Sequence, residues 1–238
     1  MRTKLTSDST ASYVLAKLKN HSFPAPLPRA VAFGAFAALL ILSTACSSKP
    51  VKKAEAVKEE PPPPPEPVTG NKAFFQMYTA ARAWAGDLEP LRLTSVHLDD
   101  VPKEPGKAGA WQAWFVSPSR GKQRSYTYAV IEAQGNLHKG VFAGLEETWS
   151  GPRSNSQPFR IQALKVDTSD AYETAMAKGK NAKQYSEKNP ELNISFLLEQ
   201  NPRHPNLVWR VIWGETVGSS GYSVFVDATT GEYKETMR

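Results

Sequence analysis

The chain has 238 residues, a formal net charge of +6 and a single cysteine, Cys46. Residues 1–45 carry +4 of that charge, so the pI near 9.3 describes mainly this segment, and the nearly neutral remainder excludes a strongly basic nucleic-acid-binding protein. With no second thiol, the chain excludes an internal disulfide and a cysteine zinc site.

The N-terminal segment has the layout of a secretory signal. Basic Arg29 precedes the apolar run Ala30 to Leu42, and small residues follow it at 43–45. The run has 13 residues, whereas a membrane-spanning helix needs about 20. The pattern therefore predicts a signal peptide over residues 1–45.

Cys46 directly follows this signal, and the arrangement resembles the lipobox of bacterial lipoproteins, in which the cysteine is lipidated and becomes the new N-terminus. The resemblance implies lipidation at Cys46 and a partner membrane bound through the acyl chains. Ser47 is compatible with sorting to the outer membrane, facing the periplasm, if the cell is Gram-negative. A buried structural cysteine, ordinary secretion and an uncleaved N-terminal anchor are the alternatives.

Residues 46–70 have the composition of a tether. The stretch from Ser47 to Gly70 has four Lys, four Glu and almost no large apolar side chain. Such a segment cannot bury enough surface to offset chain entropy, and the prolines at 61–65 favour extended polyproline II. We expect a disordered spacer that holds a domain away from the membrane.

The first predicted module covers residues 71–150. Apolar residues recur at helical spacing and predict a helix that ends near Gly86-Asp87. These residues are Phe74, Met77, Tyr78, Ala81, Trp84 and Ala85. Strand patterns then follow over Leu91–Leu98, Trp111–Val116, Tyr126–Glu132 and Leu137–Phe142.

The second predicted module covers residues 151–238 and repeats this order. A helix begins near Thr168–Asp170, where Asp170 and Glu173 have capping-box spacing. Strand patterns follow over Leu192–Glu199, Leu207–Trp213, Tyr222–Asp227 and Glu232–Thr236, with a turn at 228–231.

Two pairs of segments in the modules are alike. AWQAW at 110–114 resembles VWRVIW at 208–213, and AVIEAQGNLHKG at 129–140 resembles VFVDATTGEYKE at 224–235. A helix followed by antiparallel strands, present twice, predicts an α+β fold. We expect two small modules, each a helix packed on an antiparallel sheet of three to four strands, after a disordered N-terminal region.

The segment from about 160 to 238 resembles a PepSY-type domain. The resemblance rests on SDAYETAMAKG (169–179), LVWRVIWG (207–214) and the closing hairpin YSVFVDATTGEYKE (222–235). Residues 71–150 resemble a degenerate second copy. The family implies a small α+β module of exported or membrane-attached proteins, some associated with inhibition or assisted maturation of peptidases.

Several side chains are candidates for a functional role, each with a structural interpretation beside it. Trp209 and Trp213 could form a binding platform, but their strand spacing favours core packing. Asp227 and Gly231 suit a hairpin turn. The basic loop Ser117–Lys122, with Arg124, could attract an anion, although a solvated loop is the simpler interpretation.

The leading hypothesis is a non-enzymatic, lipid-anchored envelope protein that binds a peptide, protein or wall component. No catalytic residue, cofactor or metal site is predicted, because the histidines show no motif spacing. One alternative is an envelope hydrolase whose site is assembled from distant residues such as His97, Asp99 and His138. A purely structural envelope protein is the other.

Overall fold

The computed structural model describes residues 63–153 and 156–238, so the signal segment, Cys46 and most of the predicted tether lie outside the described residues. The described strands are β1 (Val68–Thr69), β2 (Glu89–Val96), β3 (Lys107–Ala108), β4 (Ala110–Ser117), β5 (Lys122–Ala129), β6 (Gly140–Thr148), β7 (Ile194–Glu199), β8 (Val208–Trp213), β9 (Tyr222–Asp227) and β10 (Tyr233–Met237). The helices are α1 (Gly70–Ala81), α2 (Thr168–Lys178) and α3 (Ala182–Lys188), with a 3₁₀ turn at Ile161–Ala163.

Eight strands form one antiparallel sheet in the order β10-β9-β8-β7-β2-β4-β5-β6. It consists of two four-stranded meanders joined through β2 and β7, where Leu93 lies opposite Leu198 and Thr94 opposite Leu197. The predicted α+β class, with a helix and four antiparallel strands in each half, is confirmed. The prediction had two separate small sheets, whereas the structure joins them edge to edge.

The two long helices, α1 and α2, lie on the same side of the sheet. α1 packs on β4, β5 and β6, while α2 packs on β8, β9 and β10. One continuous core lies beneath them, because the alternate side chains of all these strands point to that face. We call this side the helix-covered face and the opposite side the open face.

The internal repeat is visible in two matching hydrogen bonds. The indole N–H of Trp111 on β4 donates to the carbonyl of Val68, just before α1, at 3.1 Å. The indole N–H of Trp209 on β8 donates to Val166, just before the N-cap of α2, at 2.8 Å. Both bonds join residues 43 positions apart. Each tryptophan therefore fastens the start of a helix to the second strand of its own meander.

The predicted alignment of the third strands is wrong by three residues. Tyr128 pairs with Trp111, and Val226 pairs with Trp209, so Ala129 on β5 matches Asp227 on β9. The resemblance of 129–140 to 224–235 instead equates Glu132 with Asp227. Strand register, which is set by pairing with the neighbouring strand, decides the true equivalence.

α2 begins at Thr168, within the predicted range, but its capping residue differs from the prediction. Asp167 is the N-cap, and its carboxylate accepts from the N–H of Thr168 at 2.7 Å and from the N–H of Asn71, on α1, at 3.0 Å. Asp170 therefore lies in the first turn and does not cap the helix. The two helix N-termini meet at one carboxylate, which sequence spacing alone could not reveal.

Two further boundaries differ from the prediction. The folded part begins before Asn71, because Val68–Thr69 pairs with Lys107–Ala108 and Gly70 is the first, buried residue of α1. α1 ends at Ala81, earlier than the predicted Gly86. Among the residues that the structure describes, no helix combines the length and apolar character needed to cross a bilayer.

Candidate functional site

The open face carries a concave pocket with a volume of about 600 Å³. We call it the open-face pocket. Its lining residues come from both meanders and from the segment that links them: Leu91, Arg92, Trp114, Gln123, Trp149, Gly151, Arg153, Ser156, Leu197, Glu199, Asn201, Arg203, His204, Arg210, Val217, Phe225 and Met237. This volume lies in the usual range of ligand sites.

The chain topology explains why the pocket is open. α1 and α2 cover the other face, whereas on this side the pocket is bordered by the described part of the link between the meanders and by the loops after β7 and β8. That link is fastened by two backbone bonds, from Gln157 N–H to Gln200 and from Phe159 N–H to Pro90, both at 2.9 Å. Trp149 and Arg153 precede these bonds and form one wall of the pocket.

Arg92 lies on β2 at the junction of the two meanders. Its guanidinium carbon lies 5.8 Å from the ring centre of Trp114, the residue directly opposite on β4. Its surface is exposed to the pocket, yet the surrounding walls desolvate it and lower its pKa, which Glu199 partly offsets. Among the described residues it makes no ion pair within 4.0 Å and no side-chain hydrogen bond.

Arg210 lies on β8, on the other side of β7. Its Nε donates to Ser223 Oγ at 3.1 Å, and its guanidinium carbon lies 5.0 Å from the ring centre of Phe225. Desolvation lowers the pKa of Arg210. Its two terminal nitrogens have only a weak contact in the described chain, from Nη2 to the sulfur of Met237 at 3.8 Å.

Glu199, at the end of β7, is the one carboxylate among the described residues that line the pocket. Desolvation raises its pKa, and the charges of Arg210 and Arg92 offset this only in part. In the described chain it makes no ion pair within 4.0 Å with either arginine. Glu199 therefore lowers the positive potential between the arginines without occupying their donors.

The rim of the pocket is held by contacts to Glu235. Arg203 donates to this carboxylate at 2.8 Å, and His204 Nε2 lies 3.0 Å from its other oxygen without hydrogen-bond geometry. The His204 ring stacks on Phe225 with 4.4 Å between ring centres. Desolvation lowers the pKa of His204, although the nearby carboxylate of Glu235 acts in the opposite direction. The lowered pKa favours the neutral form of the ring.

The pocket as a whole is positively charged and partly apolar. Four arginines line it against one glutamate, and its walls include Trp114, Trp149 and several aliphatic side chains. Guanidinium groups form paired hydrogen bonds with carboxylates, and concave walls strengthen the local field. This arrangement can bind an anionic group that is attached to an apolar body.

The residues of the hydrolase alternative form two separate pairs. His97 Nε2 lies 3.0 Å from Asp99 Oδ1, beside a second cavity of about 260 Å³. His138 instead pairs with Glu132 at 3.2 Å, and its ring lies 4.5 Å from that of Phe142. No hydrogen bond joins the two pairs, and the described ranges contain no cluster of three metal-ligating side chains.

Trp209, Trp213 and Asp227 have the structural roles that their spacing favours. Both tryptophans are at most 1% exposed and lie on the helix-covered face, so the core interpretation is confirmed. Asp227 accepts from the N–H groups of Thr229 and Thr230 at 2.9 and 3.0 Å. Burial raises the pKa of Asp227, but these N–H groups and Lys234 lower it by more.

The basic loop uses its charges within the fold. Arg120 contacts Glu146 at 2.6 Å and donates to the backbone of Trp84 at 3.0 Å. Arg124 donates to the carbonyl of Gly144 at 2.7 Å. These contacts fit the solvated-loop interpretation better than an anion site.

Sequence reasoning missed the open-face pocket. Arg92 and Arg210 each interrupt an apolar strand, in LRL and VWRVIW, and that interruption was the available signal. In a strand of alternating apolar and polar residues, however, such an arginine is typical of an ordinary solvent-facing position. Only the pairing of β2 with β7 brings the two arginines to one pocket.

Comparisons of this chain with models of protein families, with curated proteins and with solved structures each found no match. The PepSY resemblance of residues 160–238 and the lipobox resemblance at Cys46 therefore stay predictions from the sequence.

Proposed function

We propose that this protein is a non-enzymatic envelope protein that binds a peptide, protein or wall component in the open-face pocket. One observation carries the proposal: a cavity of about 600 Å³ whose polar lining includes Arg92 and Arg210 without carboxylate partners within 4.0 Å in the described chain. Unpaired guanidinium donors at the junction of two meanders are better suited to holding a ligand than to stabilising the fold.

Attachment to the membrane completes the proposal. Lipidation at Cys46, followed by a proline-rich spacer, would hold the folded part away from the bilayer surface. Mass spectrometry of protein purified from membranes tests this: the expected N-terminal peptide begins with an acylated Cys46. Recovery of an unacylated chain that still begins at Met1 would contradict it.

Site-specific crosslinking tests the binding site. A photoreactive residue at Gln123, on the wall of the pocket, should capture a defined component of an envelope extract. The same group at Lys72, on α1 and away from the pocket, is the matched control. Equal capture from both positions would contradict a site on the open face. The same conclusion would follow if an excess of unlabelled Trp114→Ala protein reduced the capture as strongly as an excess of unlabelled wild-type protein.

The hydrolase alternative is tested by substitution. If the protein were an enzyme using His97, Asp99 and His138, alanine at any of them would abolish the cellular phenotype while the fold is retained. We expect these variants to keep the phenotype, because the two pairs lie outside the open-face pocket.

A further inference from the structure

The charged lining of the open-face pocket indicates which class of ligand it can bind. Its charged lining residues are Arg92, Arg153, Arg203 and Arg210 against Glu199 alone. A ligand that fills the pocket must therefore bring negative charge, because otherwise desolvating these groups on binding would be uncompensated.

The two inner arginines differ from the rim arginine in how they are held. Arg203 already contacts Glu235 at 2.8 Å. Arg92 and Arg210 instead rest near aromatic rings, with their guanidinium carbons 5.8 Å from Trp114 and 5.0 Å from Phe225. Aromatic rings orient a guanidinium without using its N–H donors. Arg92 therefore keeps its donors for an incoming acid, and Arg210, whose Nε donates to Ser223 Oγ, offers its two terminal nitrogens.

The remaining lining distinguishes among anions. Leu91, Leu197, Val217 and Met237 add aliphatic surface to the aromatic walls, which a small inorganic anion would leave uncovered. Glu199 between the arginines would repel a dianion such as phosphate more strongly than a monoanionic carboxylate. Carboxylates next to apolar side chains are found together in an acidic peptide.

We infer that the ligand of the open-face pocket is an acidic peptide segment, with its carboxylates bound by Arg92 and Arg210 and its apolar side chains on the walls. This inference rests on the proposed binding function and specifies the class of ligand. The meander junction is then the functional centre of the molecule, since β2 supplies one arginine and β8 the other.

Isothermal titration calorimetry of the full chain tests the inference with matched peptide pools. Both are pools of blocked octapeptides with randomised apolar residues at alternate positions, and one has Glu and the other Gln at the fixed positions. We expect the Glu pool to bind at least about tenfold more tightly than the Gln pool, because each charge-assisted pair favours the ionised group. Inorganic phosphate at equal concentration should not displace the Glu pool.

Variants then identify the binding groups. Arg92→Gln should weaken the Glu pool at least about tenfold, and Arg210→Gln similarly, whereas Arg82→Gln at the end of α1 should leave the affinity unchanged. Glu199→Gln should strengthen binding several-fold, because it removes the one like charge from the lining. Arg92→Gln is the decisive variant, since its side chain makes no hydrogen bond that the fold needs; circular dichroism checks the fold of each variant.

The outcomes separate the inference from the proposed function. Equal binding of the two pools, or Glu binding that Arg92→Gln leaves unchanged, would overturn the acidic peptide while capture at Gln123 could still support the site. Arg92-dependent displacement by phosphate would overturn it in favour of a phosphate ligand. Failure of both pools together with failure of capture at Gln123 would overturn both.

Discussion

Gly70, at the start of α1, has little room for a side chain. A Cβ at this position would lie 2.7 Å from Thr168 Cγ2, 2.9 Å from the Trp209 ring and 3.2 Å from the Trp111 ring. The N–H of Gly70 also donates to Thr168 Oγ1 at 2.9 Å. Absence of a side chain therefore allows the two helix N-termini and the two equivalent tryptophans to meet.

Gly70→Ala should destabilise the protein by about 1–3 kcal/mol, the usual cost of overpacking a buried site. Urea denaturation measures the free energy of unfolding, and Gly86→Ala is the matched control, because nothing lies within 4 Å of its added Cβ. If both variants had the same stability as the wild type, the close approach at Gly70 would not constrain the fold.

The carboxylate of Asp87 should make the stability of the protein depend on pH. Hydrogen bonds from Ser117 Oγ at 2.6 Å and from the N–H of Ser119 at 2.8 Å lower its pKa from 3.8 to about 2. Because the folded-state pKa is the lower one, this contribution is complete above about pH 3.8 and is lost as the pH falls toward about 2. Thermal unfolding of Asp87→Asn should show a flatter dependence of Tm on pH in that window; an unchanged slope would contradict the assignment.

Single residues also show how far sequence reasoning reaches. The Asp227 turn and the buried Trp209 were predictable, because turn chemistry and strand alternation are local properties. The cap of α2 was not, since Asp167 is distinguished from Asp170 by its bond to Asn71 on a distant helix.

At the scale of elements, the N-termini of α1 and α2 are coupled by one carboxylate. Asp167 accepts from Thr168 at 2.7 Å and from Asn71 at 3.0 Å, whereas Thr69 accepts from Lys72 at only 3.5 Å. The stronger cap of α1 therefore comes from the other half of the molecule.

Asp167→Ala should cost about 2 kcal/mol, the upper part of the range for a single cap, because two N–H groups lose their acceptor. Thr69→Ala should cost at most about 1 kcal/mol, since its bond is long. Chemical denaturation compares the two variants directly. A larger loss for Thr69→Ala would mean that the shared carboxylate does not stabilise both helices.

Six of the eight sheet strands were predicted within about two residues at each end, because alternation and turn residues mark them. The other two were misplaced: β5 begins about four residues before the predicted start at Tyr126, and β6 extends about six residues beyond the predicted end at Phe142. Helix α3 and the short strands β1 and β3 were missed. α3 has one buried side chain, Ala182, and therefore no apolar stripe in the sequence. β1 and β3 have two residues each, too few to show any period.

At the scale of the whole molecule, the two meanders share a core as well as a sheet. Leu93 on β2 and Leu198 on β7 are both 0% exposed and lie opposite each other at the junction. One cluster of buried side chains extends from Phe74 on α1 to Val224 on β9, beneath α2. We therefore expect the two halves to unfold together.

Leu198→Ala should lower the free energy of unfolding by about 2–5 kcal/mol, as for other buried leucines. Hydrogen exchange should then increase to a similar extent in β4–β6 and β8–β10, because both report one cooperative unit. Leu145→Ala is the control, since that side chain is 86% exposed. Loss of protection confined to β8–β10 would show that the halves unfold independently.

Residues 156–238 expressed alone should lack a cooperative unfolding transition, because removing β2 exposes the edge of β7 and the buried side of Leu198. Circular dichroism during heating measures this. A sharp transition at the temperature of the full chain would instead show that the second meander is an independent domain.

The sequence by itself determined the α+β class, the repeated order of helix and strands, the buried tryptophans and the Asp227 turn, because periodicity and turn chemistry act over a few residues. It also predicts the envelope anchor at Cys46. Only the tertiary structure decided that the two meanders form one sheet and that Arg92 and Arg210 line one pocket. That outcome depends on the pairing of β2 with β7, between segments far apart in the chain, which no local pattern encodes.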